Sequence, residues 1–92
     1  MIEEEGLLKV RILGPTRSLY DGKAISISAH NKQGAFDILY NHQNFFSLLD
    51  ECQVVVNTGT QNLTFPVNEG LLKVKSNTVT LFVDIDPSYA PA

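Results

Sequence analysis

Residues 63–85 read LTFPVNEGLLKVKSNTVTLFVDI. Leu72 and Val74 alternate with Lys73 and Lys75. After Ser76-Asn77 the alternation resumes as Val79, Leu81, Val83 and Ile85 between Thr78, Thr80 and Asp84. A period of two predicts strands, because successive side chains leave a strand on opposite faces. A two-residue loop at Ser76-Asn77 sets Val74 opposite Val79, Leu72 opposite Leu81, Lys75 opposite Thr78, Lys73 opposite Thr80 and Leu71 opposite Phe82. One face of this hairpin is then wholly apolar. The other is polar beside the turn and apolar at its far end. Ser-Asn is a poorer two-residue pair than Asn-Gly, so a longer type I loop is the alternative there. A hairpin with one dry face needs a second layer over it.

The other residues have to supply that layer. A chain of 92 residues is one small domain, able to bury roughly 60–65% of its unfolded surface without metal or disulfide support. Net charge is −3, and the Lys and Arg residues are scattered. Both features argue against a nucleic-acid binder, which carries a basic stripe. The single cysteine, Cys52, excludes an intrachain disulfide and fits a reducing compartment. The acidic MIEEEG start is unlike a signal or transit peptide, and no apolar run approaches the ~20 residues of a membrane span. The expected setting is cytosolic.

Along the chain, residues 1–6 read as a flexible lead-in, 7–85 as one β-domain and 86–92 as a loose tail. Leu7 to Leu13 places Leu8, Val10 and Ile12 on one face, and Gly14-Pro15 ends it. Ser18 to Ala29 holds a turn at Asp21-Gly22, after which Ile25, Ile27 and Ala29 face inward. His30 to Gly34 is a polar loop, and Ala35 to Tyr40 a strand with Phe36 and Ile38 inside. Asn41 to Asn44 is an exposed loop, followed by the apolar run Phe45 to Leu49. Cys52 to Val56 and Leu63 to Val67 are further strands, separated by a turn at Asn57 to Thr60. Pro66 cannot donate to a ladder, so its strand is expected to be an edge or to end there. Short strands with turn signals every 8 to 12 residues predict an all-β fold, a small antiparallel β-sandwich of about eight to ten strands.

No catalytic constellation emerges. His30 and His42 stand in predicted loops without metal-ligand spacing around them. Cys52 beside Val54 to Val56 reads as a small buried hydrophobe and not a nucleophile. There is no G-x-S-x-G elbow and no phosphate-cradling glycine loop. Asp84 and Asp86 share a strand face but read as solvated acids at a strand end. No metal, no cofactor and no catalytic residue is expected. Adjacent Phe45 and Phe46 leave a strand on opposite faces, so one of them points outward. Beside Leu49 and Leu39 it makes a docking patch of the kind monomers rarely expose. The bland alternative is an irregular corner that buries both.

At this point a family resemblance enters. Gly34 to Leu49, GAFDILYNHQNFFSLL, resembles the G-x-(L/F)-G-(I/V)-L-P-G-H-x-P-(L/F)-(L/V) signature of the rotary ATP synthase epsilon subunit. Phe65 to Ile85 is similar to the same family's F-x-V-x-G-G-(F/I)-L-E-V-x-x-N-x-V-T-V-L-A-D. Val67, Gly70, Leu72, Val74, Asn77, Val79, Thr80, Leu81 and Asp84 fall on matching positions. Leu8 to Pro15 followed by Leu19 to Gly22 resembles the family's opening. The likeness spans about residues 7 to 85. Tyr40-Asn41 stands where the family has Pro-Gly before His42, Asn44 replaces its next proline, and Asp37 and Glu69 each replace a glycine. Ala35 stands where an acid often follows the first glycine of the signature.

The resemblance implies a β-sandwich that clamps the foot of the gamma shaft and rests on the ring of c subunits, so that shaft and ring turn together. It implies a non-catalytic part in proton-driven ATP synthesis, without a cofactor, peripheral on the cytoplasmic face of the inner membrane. Membrane contact then comes through the complex alone. Lys32, Gln33, Gly34 and Ala35 with Tyr40, Asn41 and His42 are implied as the edge toward the c-ring. Leu19, Phe45, Phe46 and Leu49 are implied as the side toward gamma. Family members commonly continue into two C-terminal helices that restrain ATP hydrolysis, and nothing of that restraint is carried over to these residues. A stand-alone β-sandwich that binds a small ligand, such as a nucleotide or sugar, is the alternative reading.

Overall fold

The computed structural model describes residues 6–85. The expected tail at 86–92, Asp86 included, and all but the last residue of the lead-in lie outside the described residues. Eight strands follow in chain order: β1 (Leu8–Leu13), β2 (Ser18–Ala24), β3 (Ser26–Asn31), β4 (Gly34–Leu39), β5 (Phe45–Leu49), β6 (Cys52–Asn57), β7 (Asn62–Lys75) and β8 (Thr78–Ile85). They join in one hydrogen-bonded path, β2-β1-β8-β7-β6-β3-β4, with β5 added on β7.

Alternate residues are buried most cleanly in β1 and β8, and the buried side chains of all eight strands form a single cluster, with Leu8, Ile12, Ile27, Ile38, Leu72 and Leu81 among the largest. A sheet whose strands each have one dry face, with no helix among the described residues to cover it, must fold over on itself. Strand β7 makes the fold possible. Its first half pairs with β6, its second half with β8 and β5, and its register shifts between Val67 and Glu69. Such a bulge bends and twists a strand locally, so one strand serves both layers of the sandwich.

The β7–β8 pairing is the predicted hairpin, with Val74 opposite Val79, Leu72 opposite Leu81 and Leu71 opposite Phe82. Ser76 (φ 50°) and Asn77 (φ 63°) are both left-handed, which makes the connection the two-residue type I′ turn. One pairing departs from the antiparallel pattern. Strands β1 and β8 run parallel, setting Val10 beside Val79 and Ile12 beside Leu81. Strands so distant in sequence have no hairpin to dictate their sense. The match between their buried residues survives either direction.

Three local expectations also change. Asp21-Gly22 is no turn: both lie within β2, opposite Arg11 and Val10. A Cβ on Gly22 would meet the Tyr20 ring at 3.0–3.2 Å, so the glycine makes room for an aromatic ring laid across an edge strand. That ring meets Phe65 edge-on at 6.5 Å, and its hydroxyl donates to the Lys23 carbonyl at 2.7 Å. Burial pushes the Tyr20 phenol above its ordinary value. Ile25 is exposed instead of inward. It occupies the break between β2 and β3, where its N–H bonds the Asn57 carbonyl at 2.7 Å and its side chain lies over Gly59. The His30–Gly34 loop contracts to Lys32-Gln33, because His30 and Asn31 extend β3 opposite Ala35 and Gly34.

Strand β7 does not end at Pro66. The proline faces Gln53 of β6, while β8 joins β7 at the Val67–Ile85 pair. Its other flank carries no described partner at that level, which is where a strand tolerates proline.

Three substitutions test this packing. A Cβ at Gly70 would sit 2.8 Å from the Phe82 carbonyl oxygen, so Gly70→Ala is expected to destabilise the chain by about 1–3 kcal/mol in urea denaturation. Leu49 is 3% exposed and Leu48 62% exposed. Leu49→Ala is therefore expected to cost about 2–5 kcal/mol, and Leu48→Ala less than about 0.5 kcal/mol. Equal costs for the two leucines would reverse the facing of β5.

Candidate functional site

The facing of β5 decides which of its apolar residues can meet a partner. Leu49 pairs with Gly70 and Phe45 with Val74, so both lie over inward positions of β7. Leu49 is buried, and Phe45 packs against the core between Phe36 and His42, each ring 5.5 Å away and edge-on. These two residues are thus corrected from the outward set that the resemblance implied. Phe46 does point outward, at 62% exposure. Leu48 takes the outward place expected of Leu49.

Ser47 is what reverses the pattern. By polarity alone it belongs outside, which would turn Phe46 and Leu48 inward. It is instead half-buried, accepting from Asn31 Nδ2 at 3.1 Å and donating to the Leu48 carbonyl. A hydroxyl on the inner face is tolerable once it is hydrogen-bonded.

Pairing then assembles the outward face of β5, β7, β8 and β1 row by row. Leu48 stands beside Leu71, Leu71 beside Phe82, and Phe82 beside Leu13. This apolar row crosses four strands, β5, β7, β8 and β1, and Phe82 is 52% exposed. One row toward the hairpin turn come Phe46, Lys73, Thr80 and Arg11. One row the other way, Glu69 faces Asp84. The apolar row and the acidic end together line an open groove of ≈ 640 Å³ that also includes Gly14, Pro15, Lys32 and Asp50. Of the residues lining this groove, only Lys32 and Leu49 belong to the implied site; the outward apolar members Leu48, Leu71 and Phe82 do not. Leu19 lies off this face, half-buried against the core and near Gly14.

The remaining implied site residues flank the face. Lys32-Gln33 forms the β3–β4 turn, stabilised by the Gln33 N–H donating to Asn31 Oδ1 at 2.8 Å, with Gly34 at φ 120° and Ala35 next in β4. Tyr40, Asn41 and His42 follow the far end of β4, about 17 Å away at strand rise. The two groups therefore sit at opposite ends of one edge strand and are not one cluster. Asn41 (φ 66°) occupies the place of the family glycine and keeps a left-handed backbone, which asparagine tolerates better than most residues. Its N–H donates to Asn77 Oδ1 at 2.6 Å, and the Ser76 N–H donates to Asn44 Oδ1 at 3.2 Å. Loop 41–44 is thereby laced to the hairpin turn. Among the described residues no His, Cys, Asp and Glu group has a metal-binding arrangement, and Cys52 is a free, half-buried thiol.

The row is an exposed apolar strip of the kind that monomers rarely leave open. Comparison with known proteins supplies the family. Residues 7–85 match the model of the ATP synthase delta/epsilon chain, β-sandwich domain. The ATP synthase epsilon chain of Helicobacter pylori (strain P12) is 30% identical over 78 residues, which cover 85% of this chain and 63% of that protein. The chain thus spans under two thirds of that relative's length. Among solved structures, a chain of the Euglena gracilis mitochondrial ATP synthase (OSCP, F1 and c-ring) superposes with a TM-score of 0.80 at 12% identity, over 85% of this chain and 51% of that one. A chain of the Tetrahymena thermophila mitochondrial ATP synthase central stalk and c-ring gives 0.72 at 17% identity, over 86% and 63%. At such identities the superpositions speak for the fold, and the family match carries the assignment. Residues 7–85 place this chain in the ATP synthase delta/epsilon family, as its β-sandwich domain.

Proposed function

We propose that the chain is a non-catalytic central-stalk subunit of a proton-driven rotary ATP synthase, coupling the gamma shaft to the c-ring from the cytoplasmic side of the membrane. The family match over residues 7–85 carries this reading, and the outward apolar row supports it. A coupling element has to transmit torque without shearing. Continuous backbone pairing across all eight strands, closed over one apolar core, supplies the stiffness, since interiors packed at crystal-like density deform little. The row Leu48–Leu71–Phe82 with Phe46 is the side assigned to gamma. Both ends of β4, Lys32 to Ala35 and Tyr40 to His42, are assigned to the c-ring.

The test is co-purification of the tagged chain from its native membranes, with mass spectrometry of what accompanies it. Gamma and c subunits are expected in the eluate. Elution of the chain alone would sink the proposal and favour the ligand-binding sandwich. In that case a nucleotide or sugar at 100-fold over its Kd would stabilise the chain by about 2.7 kcal/mol. Phe46→Ala gives a sharper reading. Stability is expected to change by less than about 0.5 kcal/mol, while gamma binding weakens by at least about 1 kcal/mol. A stable variant with unaltered gamma affinity would remove Phe46 from the interface.

A further inference from the structure

The outward face of β1, β8, β7 and β5 is charged in opposite senses at its two ends. Beyond the apolar row on one side stand Glu69 and Asp84, directly opposite each other across β7 and β8, with Asp50 in the same groove. Like charges facing across a strand pair are unfavourable. None of these three carboxylates makes an ion pair with another described residue, although Lys32 lines the same groove. On the other side stand Lys73 and Lys75 of β7 with Lys9 and Arg11 of β1, which share register positions with Thr78 and Thr80 of β8. Arg11 lies 4.0 Å from Asp21, a surface pair at the limit of ion-pair distance. From Glu69 to Lys73, the nearer of the two lysines, is about 13 Å at strand rise. Screening in the cell acts over about 8 Å, so the two ends do not neutralise each other. Apolar side chains fill the space between them.

We propose that this face orients its partner by charge. The occupant is a segment of the gamma shaft with an apolar row that meets Leu48, Leu71 and Phe82. It carries Arg or Lys toward Glu69 and Asp84, and Asp or Glu toward Lys73 and Lys75. This rests on the gamma-binding reading above and adds to it the chemistry and direction of the partner. Complementary potentials across an interface speed association and fix register more than they add affinity. A coupling subunit needs that register, because a partner docked in the reverse sense would transmit torque at the wrong angle. The cross-strand repulsion of Glu69 and Asp84 is a local fold rule broken in exchange for a binding function.

Binding of the 92-residue chain to its cognate gamma subunit, measured by biolayer interferometry at low and high salt, tests the proposal. The variants are E69K/D84K, K73E/K75E and the neutral E69Q/D84N. Each charge reversal is expected to slow association on the order of tenfold at low salt, with the difference shrinking at high salt. The neutral pair is expected to fall between wild type and E69K/D84K. The melting temperature of E69Q/D84N alone is expected to stay level or rise, because the change relieves a like-charge pair. Reduced binding with retained melting temperature separates recognition from folding.

Wild-type binding that ignores all three variants would overturn the inference and leave the gamma reading standing. Faster association after either reversal would also overturn it. Failure of the wild-type chain to bind gamma would end both. Sedimentation of the wild-type chain as a dimer that Phe82→Asp dissolves, with gamma binding untouched, would assign the face to a second copy.

Discussion

Strand β7 belongs to two layers at once, and the rest of the fold depends on that. Fourteen residues, Asn62–Lys75, are too long for one face of a small sandwich. The register shift between Val67 and Glu69 resolves the length by re-aiming the strand. Before it, Phe65 and Val67 point into the core from beside β6. After it, Leu72 and Val74 point into the same core from beside β5 and β8. The hairpin partner β8 then fixes β1, and β1 fixes the edge strand β2. A bulge at this place is a device of construction, since a straight strand would leave one layer without a lid.

The same bulge positions the candidate binding face. It fixes the phase in which Glu69, Leu71, Lys73 and Lys75 all project outward from the second half of β7. Gly70 lies between Leu49 on one side and Val83 on the other, with no room for a side chain beside the Phe82 carbonyl. That close approach draws β5 and β8 against β7, and it brings Leu48, Leu71 and Phe82 into one row. Stiff pairing beneath and an apolar row above suit a part that must move with its neighbours as one body. The loops at the hairpin end are tied together by side-chain to backbone bonds between Asn41, Asn44, Ser76 and Asn77.

Departures from the family pattern have physical counterparts. Asn41 replaces a glycine and still adopts a left-handed backbone. Its side chain is free of that duty, and its N–H is taken by Asn77. Glu69 replaces another glycine beside Gly70 and adds a carboxylate opposite Asp84. The first substitution preserves a conformation, whereas the second changes the electrostatics of a surface. The distinction follows from position. A residue at positive φ is constrained by its own backbone, while one on an outward strand position is constrained by whatever meets it.

How far the sequence alone determined this protein can be read from three segments. The pairing of β7 and β8 beside their turn was legible, because period-two alternation is a local property, although the sequence left a longer loop open there and did not show that Leu63–Val67 continues into the same strand. The all-β class followed from similar short-range signals, and the family from the resemblance of three motifs in order. The tertiary structure decided what depends on distant partners. It set the parallel sense of β1 and β8, which no connecting turn dictates. It kept Asp21-Gly22 in a strand, because the Tyr20 ring covers the glycine. Above all it set the facing of Phe45 to Leu49, where apolar residues on both faces leave the alternation ambiguous and Ser47 points to the wrong answer. A hydrogen bond from Asn31, sixteen residues earlier in the chain, makes the inward serine acceptable, and it turns Phe46 and Leu48 toward solvent. Local periodicity sees burial as a matter of polarity. Burial in the folded chain is a matter of whether each polar group finds a partner, and that is known only once the strands have met.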